Sequence, residues 1–173
     1  MRFSAMLTMA AITMAVAVAM AVPAGARAQT GDTVLKQAEI EKLLPESVYY
    51  KGQSATTQKR NSGGVKFADG SYLLTTLVDT SGYSTGISAK YQAYFVTEEP
   101  IKIGGQKLVP GVYGIGFVDG DKLLVTDVGA HEVLTVSTGT DAALARPRPL
   151  QLLADGAGGY RIYAGRRYVT ISK

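Results

Sequence analysis

Along most of the chain, apolar and polar residues alternate with a period of two, in short runs divided by Gly, Pro and Asp. That is the signature of half-buried strands, not of helices. Strands are expected at 47–50, 65–68, 72–78, 91–97, 112–118, 122–128, 132–137, 150–153, 160–163 and 167–172, with a shorter one around Ile101 and Ile103. The residues between them are turn formers: Asp69-Gly70, Gly104-Gly105, Asp119-Gly120-Asp121 and Ala164-Gly165-Arg166. An Asp-Gly pair between two alternating runs is a strong hairpin signal. Residues 51–64 and 79–89 are polar and Gly-bounded and read as loops, the first also as a weak edge strand.

Only residues 29–44 read as a long helix. Asp32 can cap it, Val34, Leu35, Ala38, Leu43 and Leu44 form a rough apolar stripe, and Pro45 ends it. Residues 140–146 hold at most two further helical turns, capped by Thr140 or Asp141 and stopped by Pro147. Parallel βαβ order needs crossover helices, and these are missing. The fold class expected is therefore all-β: an antiparallel β-sandwich or half-open barrel of about nine or ten short strands with one N-terminal helix.

The first residues follow another pattern. Arg2 precedes an almost wholly apolar run, 5–22, and Pro23 and Gly25 then break any helix. Ala26-Arg27-Ala28 places small residues where a signal peptidase reads them. A secretory signal peptide over 1–28 is expected, followed by a helix over 29–45 and a single β domain over 46–173. The expected location is a bacterial periplasm or the medium outside the cell. No later segment is apolar enough to span a bilayer.

Composition narrows the chemistry. The 173 residues include no Cys and one His, so a disulfide framework, a thiolate site and a multi-histidine metal site are excluded. Removing Arg2 and Arg27 leaves 16 basic residues against 14 acidic ones, so the mature chain is nearly neutral. It does not read as a nucleic-acid binder. Its charge is uneven: Arg146, Arg148, Arg161, Arg166, Arg167 and Lys173 face only Asp155 in the last part of the chain. Such a stretch is either an anion-binding patch or a set of edge-strand gatekeepers.

Gly82-Tyr83-Ser84-Thr85-Gly86 matches the nucleophile-elbow pattern, with His131 and Asp127 as the available base and orienting acid. The expected fold does not supply the strand-to-helix context that this motif needs. Asp119 and Asp121 fall short of a calcium loop, which needs more oxygens at alternate positions. No metal or cofactor is implied. The ten Tyr, without a single Trp, are the stronger bias, because Tyr suits interfaces and sugar platforms. Tyr83, Tyr91, Tyr160, Tyr163, Arg161, Arg166 and Arg167 are the candidate contact residues, as an Arg/Tyr face beside the 79–91 loop.

Residues 101–116, IKIGGQKLVPGVYGIG, resemble a hairpin of uncharacterised bacterial secreted or periplasmic β-domain proteins, written I-G-G-x-x-L-x-P-G-x-Y. The resemblance implies export and a sandwich-like fold and brings no catalytic residue. The leading functional expectation is an exported, non-catalytic β-domain that binds a protein or glycan partner in the cell envelope. The alternatives are a small β-barrel carrier of an apolar ligand and a Ser84-dependent hydrolase.

Overall fold

The computed structural model describes residues 31–173. The expected signal peptide over 1–28, and the first two residues of the expected helix, lie outside the described residues. The described chain is mostly β, in two antiparallel sheets, with two short helices.

The first sheet is built from β1 (Thr33–Val34), β2 (Ser47–Tyr50), β3 (Gln53–Lys66), β4 (Tyr72–Val78), β5 (Ala93–Thr97), β8 (Gly111–Val118), β9 (Lys122–Thr126) and β10 (Glu132–Ser137). Its order is β1-β3-β4-β5-β8-β9-β10, and β2 shares the outer edge of β3 with β1. The second sheet holds β6 (Ile101–Ile103), β7 (Gln106–Leu108), β11 (Gly139–Thr140), β12 (Arg148–Ala154), β13 (Tyr160–Gly165) and β14 (Arg167–Ser172). Its order is β12-β13-β14-β6-β7, with β11 on β14. The chain thus crosses between sheets after β5, β7 and β10, which makes a sandwich and not a closed barrel.

The period-two pattern becomes burial directly. Phe95, Ile103, Ile115, Leu123, Val125, Ile162 and Ile171 come from both sheets and interleave in one core. Two smaller clusters back the far face of the first sheet: Val48, Tyr50, Ala55, Val78, Tyr83 and Tyr91 in one, Ile40, Leu44 and Leu74 in the other. Gly63 lets the sheets meet closely, since a Cβ there would stand 2.6 Å from the Leu152 backbone nitrogen. The turn between β6 and β7 needs Gly104 at φ 54 and Gly105 at φ 83, the left-handed region that Gly enters without strain.

Local expectations are corrected at the following places. The N-terminal helix α1 spans only Gln37–Leu43, because 33–34 pair with β3 as a strand. Lys36 stands at its N-cap with an extended backbone, and the Glu39 carboxylate accepts the Lys36 N–H at 2.8 Å. Leu44 is extended because the residue before Pro45 is kept out of the helical region. Asp32 does not cap the helix. It accepts the Ala68 N–H at 3.0 Å and the Tyr160 hydroxyl at 2.9 Å, and so ties the start of the described chain to both sheets.

Of the two readings of 51–64, loop or weak edge strand, the strand holds: most of the segment is the long β3, which is paired on both sides and so is not an edge. Its register against β4 jumps between Gln58 and Ser62, so residues 59–61 bulge out. Residues 141–147 make turns instead of helix, with the Asp141 carboxylate accepting the Ala143 N–H at 3.1 Å. The loop 79–89 also contains one helical turn, α2 (Thr85–Ser88).

Candidate functional site

The residues expected to form an Arg/Tyr recognition face are placed otherwise. Tyr83 and Tyr91 lie under the first sheet. The Tyr91 ring is only 1% exposed and stacks on Tyr50 at 3.6 Å, and Tyr83 meets both rings edge-on. The Tyr83 hydroxyl donates to the Tyr50 and Gln53 carbonyls, at 2.9 and 3.1 Å. Burial pushes both hydroxyls above the ordinary tyrosine range, well above for Tyr91. Tyr160 is buried on Phe67 and Asp32, and burial plus the Asp32 carboxylate push it up to about 12. Tyr163 is buried too, donating to Asp141 at 3.1 Å. None of the four offers a ring to solvent.

The three arginines hold the fold. Arg166 donates to the Ala142 and Leu144 carbonyls, both at 2.7 Å, and stabilises the 141–144 turn. Arg167 donates to the Val118 carbonyl at 2.7 Å and closes the β8–β9 hairpin from the second sheet. Arg161 stacks over Tyr168 with its guanidinium carbon 4.4 Å from the ring centre, and one of its terminal nitrogens stands 3.9 Å from the Asp141 carboxylate. Among the described residues, the buried Nε atoms of Arg161 and Arg167 have no hydrogen-bond partner. Arg161 and Arg167 are half-buried, and the exposed Arg166 spends its guanidinium on main-chain carbonyls.

Two other arginines of the same basic stretch, Arg146 and Arg148, have no side-chain partner among the described residues. In Arg146-Pro147-Arg148-Pro149 each Pro fixes its own φ and disfavours a helical backbone at its predecessor, so the chain bends at Arg146 and enters β12 at Arg148. Arg148 opens the edge strand β12, where a Pro is tolerated because no further strand must pair with it. The Gln151 amide donates to the Arg146 carbonyl at 3.1 Å and anchors this wall. Opposite stands α1, fixed to the β3 bulge by the Gln37 amide, which donates to the Lys59 carbonyl and to Ser62 Oγ.

Between the walls runs a groove of about 580 Å³. Val34, Leu35, Ile40, Leu144, Leu152 and Leu153 supply its apolar surface. Lys36, Arg146 and Arg148 stand on its rim, and no carboxylate lines it. Among the described residues these three cations make no side-chain hydrogen bond or ion pair. The only sequence signal for the groove was the basic excess after residue 146. The α1 wall could not be read from the sequence, because α1 and β12 are far apart in the chain.

The remaining candidates separate. Asp127 and His131 do form a pair: the carboxylate accepts the His131 backbone N–H and meets Nδ1, both at 2.9 Å. Those bonds hold the Asp127 carboxyl below its usual range. Ser84 caps the four-residue α2, and among the described residues it makes no hydrogen bond to His131. The motif thus lacks its nucleophile–base contact. Asp121 sits at φ 52 in the β8–β9 turn with the Arg167 Nε 3.8 Å away, a hairpin role. Among the described residues no three His, Asp or Glu converge as metal ligands, and no helix is long and apolar enough to cross a membrane. Comparison with protein-family models, with curated proteins and with solved structures finds no match for this chain.

Proposed function

We propose that the chain is an exported, non-catalytic binding module of a bacterial cell envelope. Its groove between α1 and β12 takes an acidic, partly apolar segment of a protein partner. The observation that carries this reading is three unpaired cations, Lys36, Arg146 and Arg148, around an apolar floor with no carboxylate. Anionic side chains complement such a rim and apolar ones fill the floor. A glycan fits this groove poorly, because no aromatic side chain lines it for a sugar ring to stack on. A carrier of an apolar ligand would need an interior cavity, and side chains from both sheets interleave where it would lie. Export rests on the three-part pattern of residues 1–28.

Fluorescence anisotropy with a labelled peptide of alternating Glu and Leu tests the groove. Binding is expected to weaken roughly tenfold or more in the double variant Arg146→Glu, Arg148→Glu, and to fall with added salt. Both residues are exposed, so the variant keeps its fold. Equal binding by the wild type and the variant would overturn the groove as the site.

A further inference from the structure

A second surface, remote in chemistry from the groove, lies on the β2–β3 hairpin. Register places Tyr49 opposite Ser54 and Ser47 opposite Thr56, and cross-strand neighbours share one face of a sheet. Two residues beyond Thr56, Gln58 continues the row opposite Leu77. Leu77 packs against the core between the sheets. The row is therefore an extension of the first sheet's inner face that runs past the cover of the second sheet. Ser47, Tyr49, Ser54, Thr56 and Gln58 are all exposed. The opposite face of the same hairpin is buried through Val48, Tyr50 and Ala55 against Tyr83 and Tyr91. The platform is rigid from below and open above.

Tyr49 is 68% exposed, while the candidate tyrosines named above are buried. Its side chain leans along the hairpin, with the hydroxyl 3.9 Å from where a Cβ on Gly52 would stand. The rest of the side chain is open to solvent. Around it the row offers three hydroxyls and one amide and no charge. It ends in an open cleft of about 710 Å³ where Gln58 and Asn61 stand beside the charged Arg60, Glu41 and the Lys59–Glu46 ion pair.

We infer that this hairpin is a glycan-binding platform, in which the C–H face of a neutral sugar ring packs on Tyr49 and its hydroxyls bond to Ser47, Ser54, Thr56 and Gln58. An exposed aromatic ring, beside side chains that both donate and accept, matches a sugar ring that is apolar on its faces and hydroxylated at its edge. A nucleic acid would need cations along the row to meet its phosphates, and the row has none. The cleft beyond Gln58 gives room for more than one sugar unit. The inference does not rest on the groove, and either can fail alone.

Saturation-transfer NMR and calorimetric titration of the full mature chain with three neutral probes test it: an N-acetylglucosamine tetramer, cellotetraose and maltotetraose. At least one is expected to bind, and Tyr49→Ala is expected to weaken it roughly tenfold or more. The double variant Arg146→Glu, Arg148→Glu is expected to bind the sugar as the wild type does. Tyr49→Ala removes an exposed ring, and a circular dichroism melt matching the wild type confirms its fold. Absence of binding by all three sugars overturns the proposal, and so does equal binding by Tyr49→Ala. Sedimentation showing a dimer that Tyr49→Ala dissociates would assign the face to a second copy of the chain and overturn it as well.

Discussion

Gly116, in the middle of β8, stands directly against the Lys90 main chain: a Cβ there would lie 2.7 Å from the Lys90 carbonyl carbon. Backbone cannot move aside as a flexible side-chain tip can. Gly116→Ala is therefore expected to destabilise the domain by about 1–3 kcal/mol, read as a lower urea midpoint with unchanged slope. An unchanged midpoint would show that the 90–92 segment yields freely. Gly86→Ala is the control, because nothing stands within 4 Å of its added carbon.

A second residue-scale outcome concerns alkaline pH. Tyr160 ionises at about 12 in the folded protein, against 10.0 for an ordinary tyrosine. A raised folded value means that its contribution is complete below pH 10.0 and is lost as pH rises through about 12. Stability should thus fall across that window, and Tyr160→Phe should fall less steeply. Urea midpoints collected at stepped pH give both slopes, and parallel curves would remove Tyr160 as a contributor. Lys173 and Asp69 act at the acid end. The Lys173 ammonium, 2.6 Å away, and the Ser71 hydroxyl and N–H hold the Asp69 carboxyl well below its usual range. That contribution is present above pH 3.8 and is lost as pH falls below it.

At the scale of elements, the last strand carries more than its position in the chain suggests. β14 lies inside the second sheet, between β13 and β6, and also pairs β11. A chain ending before Arg167 is expected to fail to fold, because β6 and β13 would lose their common partner along with Val169 and Ile171 of the core. Loss of the cooperative thermal transition checks this. A retained native transition would mean that the first sheet folds by itself. Strands β12, β13 and β14 were legible in the alternation of 150–153, 160–163 and 167–172. The N-terminal part of β3 was legible only as a weak alternative to a loop, because the row from Ser54 to Gln58 faces solvent and its buried partners, Ala55 and Thr57, are small or polar. Hydrophobic alternation signals a strand only where one face meets a core. The two-residue strands β1 and β11 are too short to carry any period.

At the scale of the molecule, the sandwich presents two surfaces of opposite character, a cationic groove and a neutral aromatic platform. They share β3: its bulge anchors α1, and its N-terminal half forms the hairpin. If the chain is exported as its first residues indicate, intact-mass measurement of protein from the envelope fraction should give a chain beginning at Gln29. A mass that includes residues 1–28 would leave the protein membrane-anchored and set aside the free module.

The alternation of side chains, the Gly and Asp turns and the lack of crossover helices were enough to determine an all-β antiparallel architecture, because a strand's period and a hairpin's backbone are local properties. What each tyrosine and arginine does was decided only by the tertiary structure. Tyr49 and Tyr50 are neighbours in sequence, yet one is exposed and the other buried, because successive side chains of a strand face opposite ways. Arg146 and Arg166 have the same charge. One is free and the other is bound to carbonyls more than twenty residues away in the chain, because long-range packing chose which guanidinium would meet which turn.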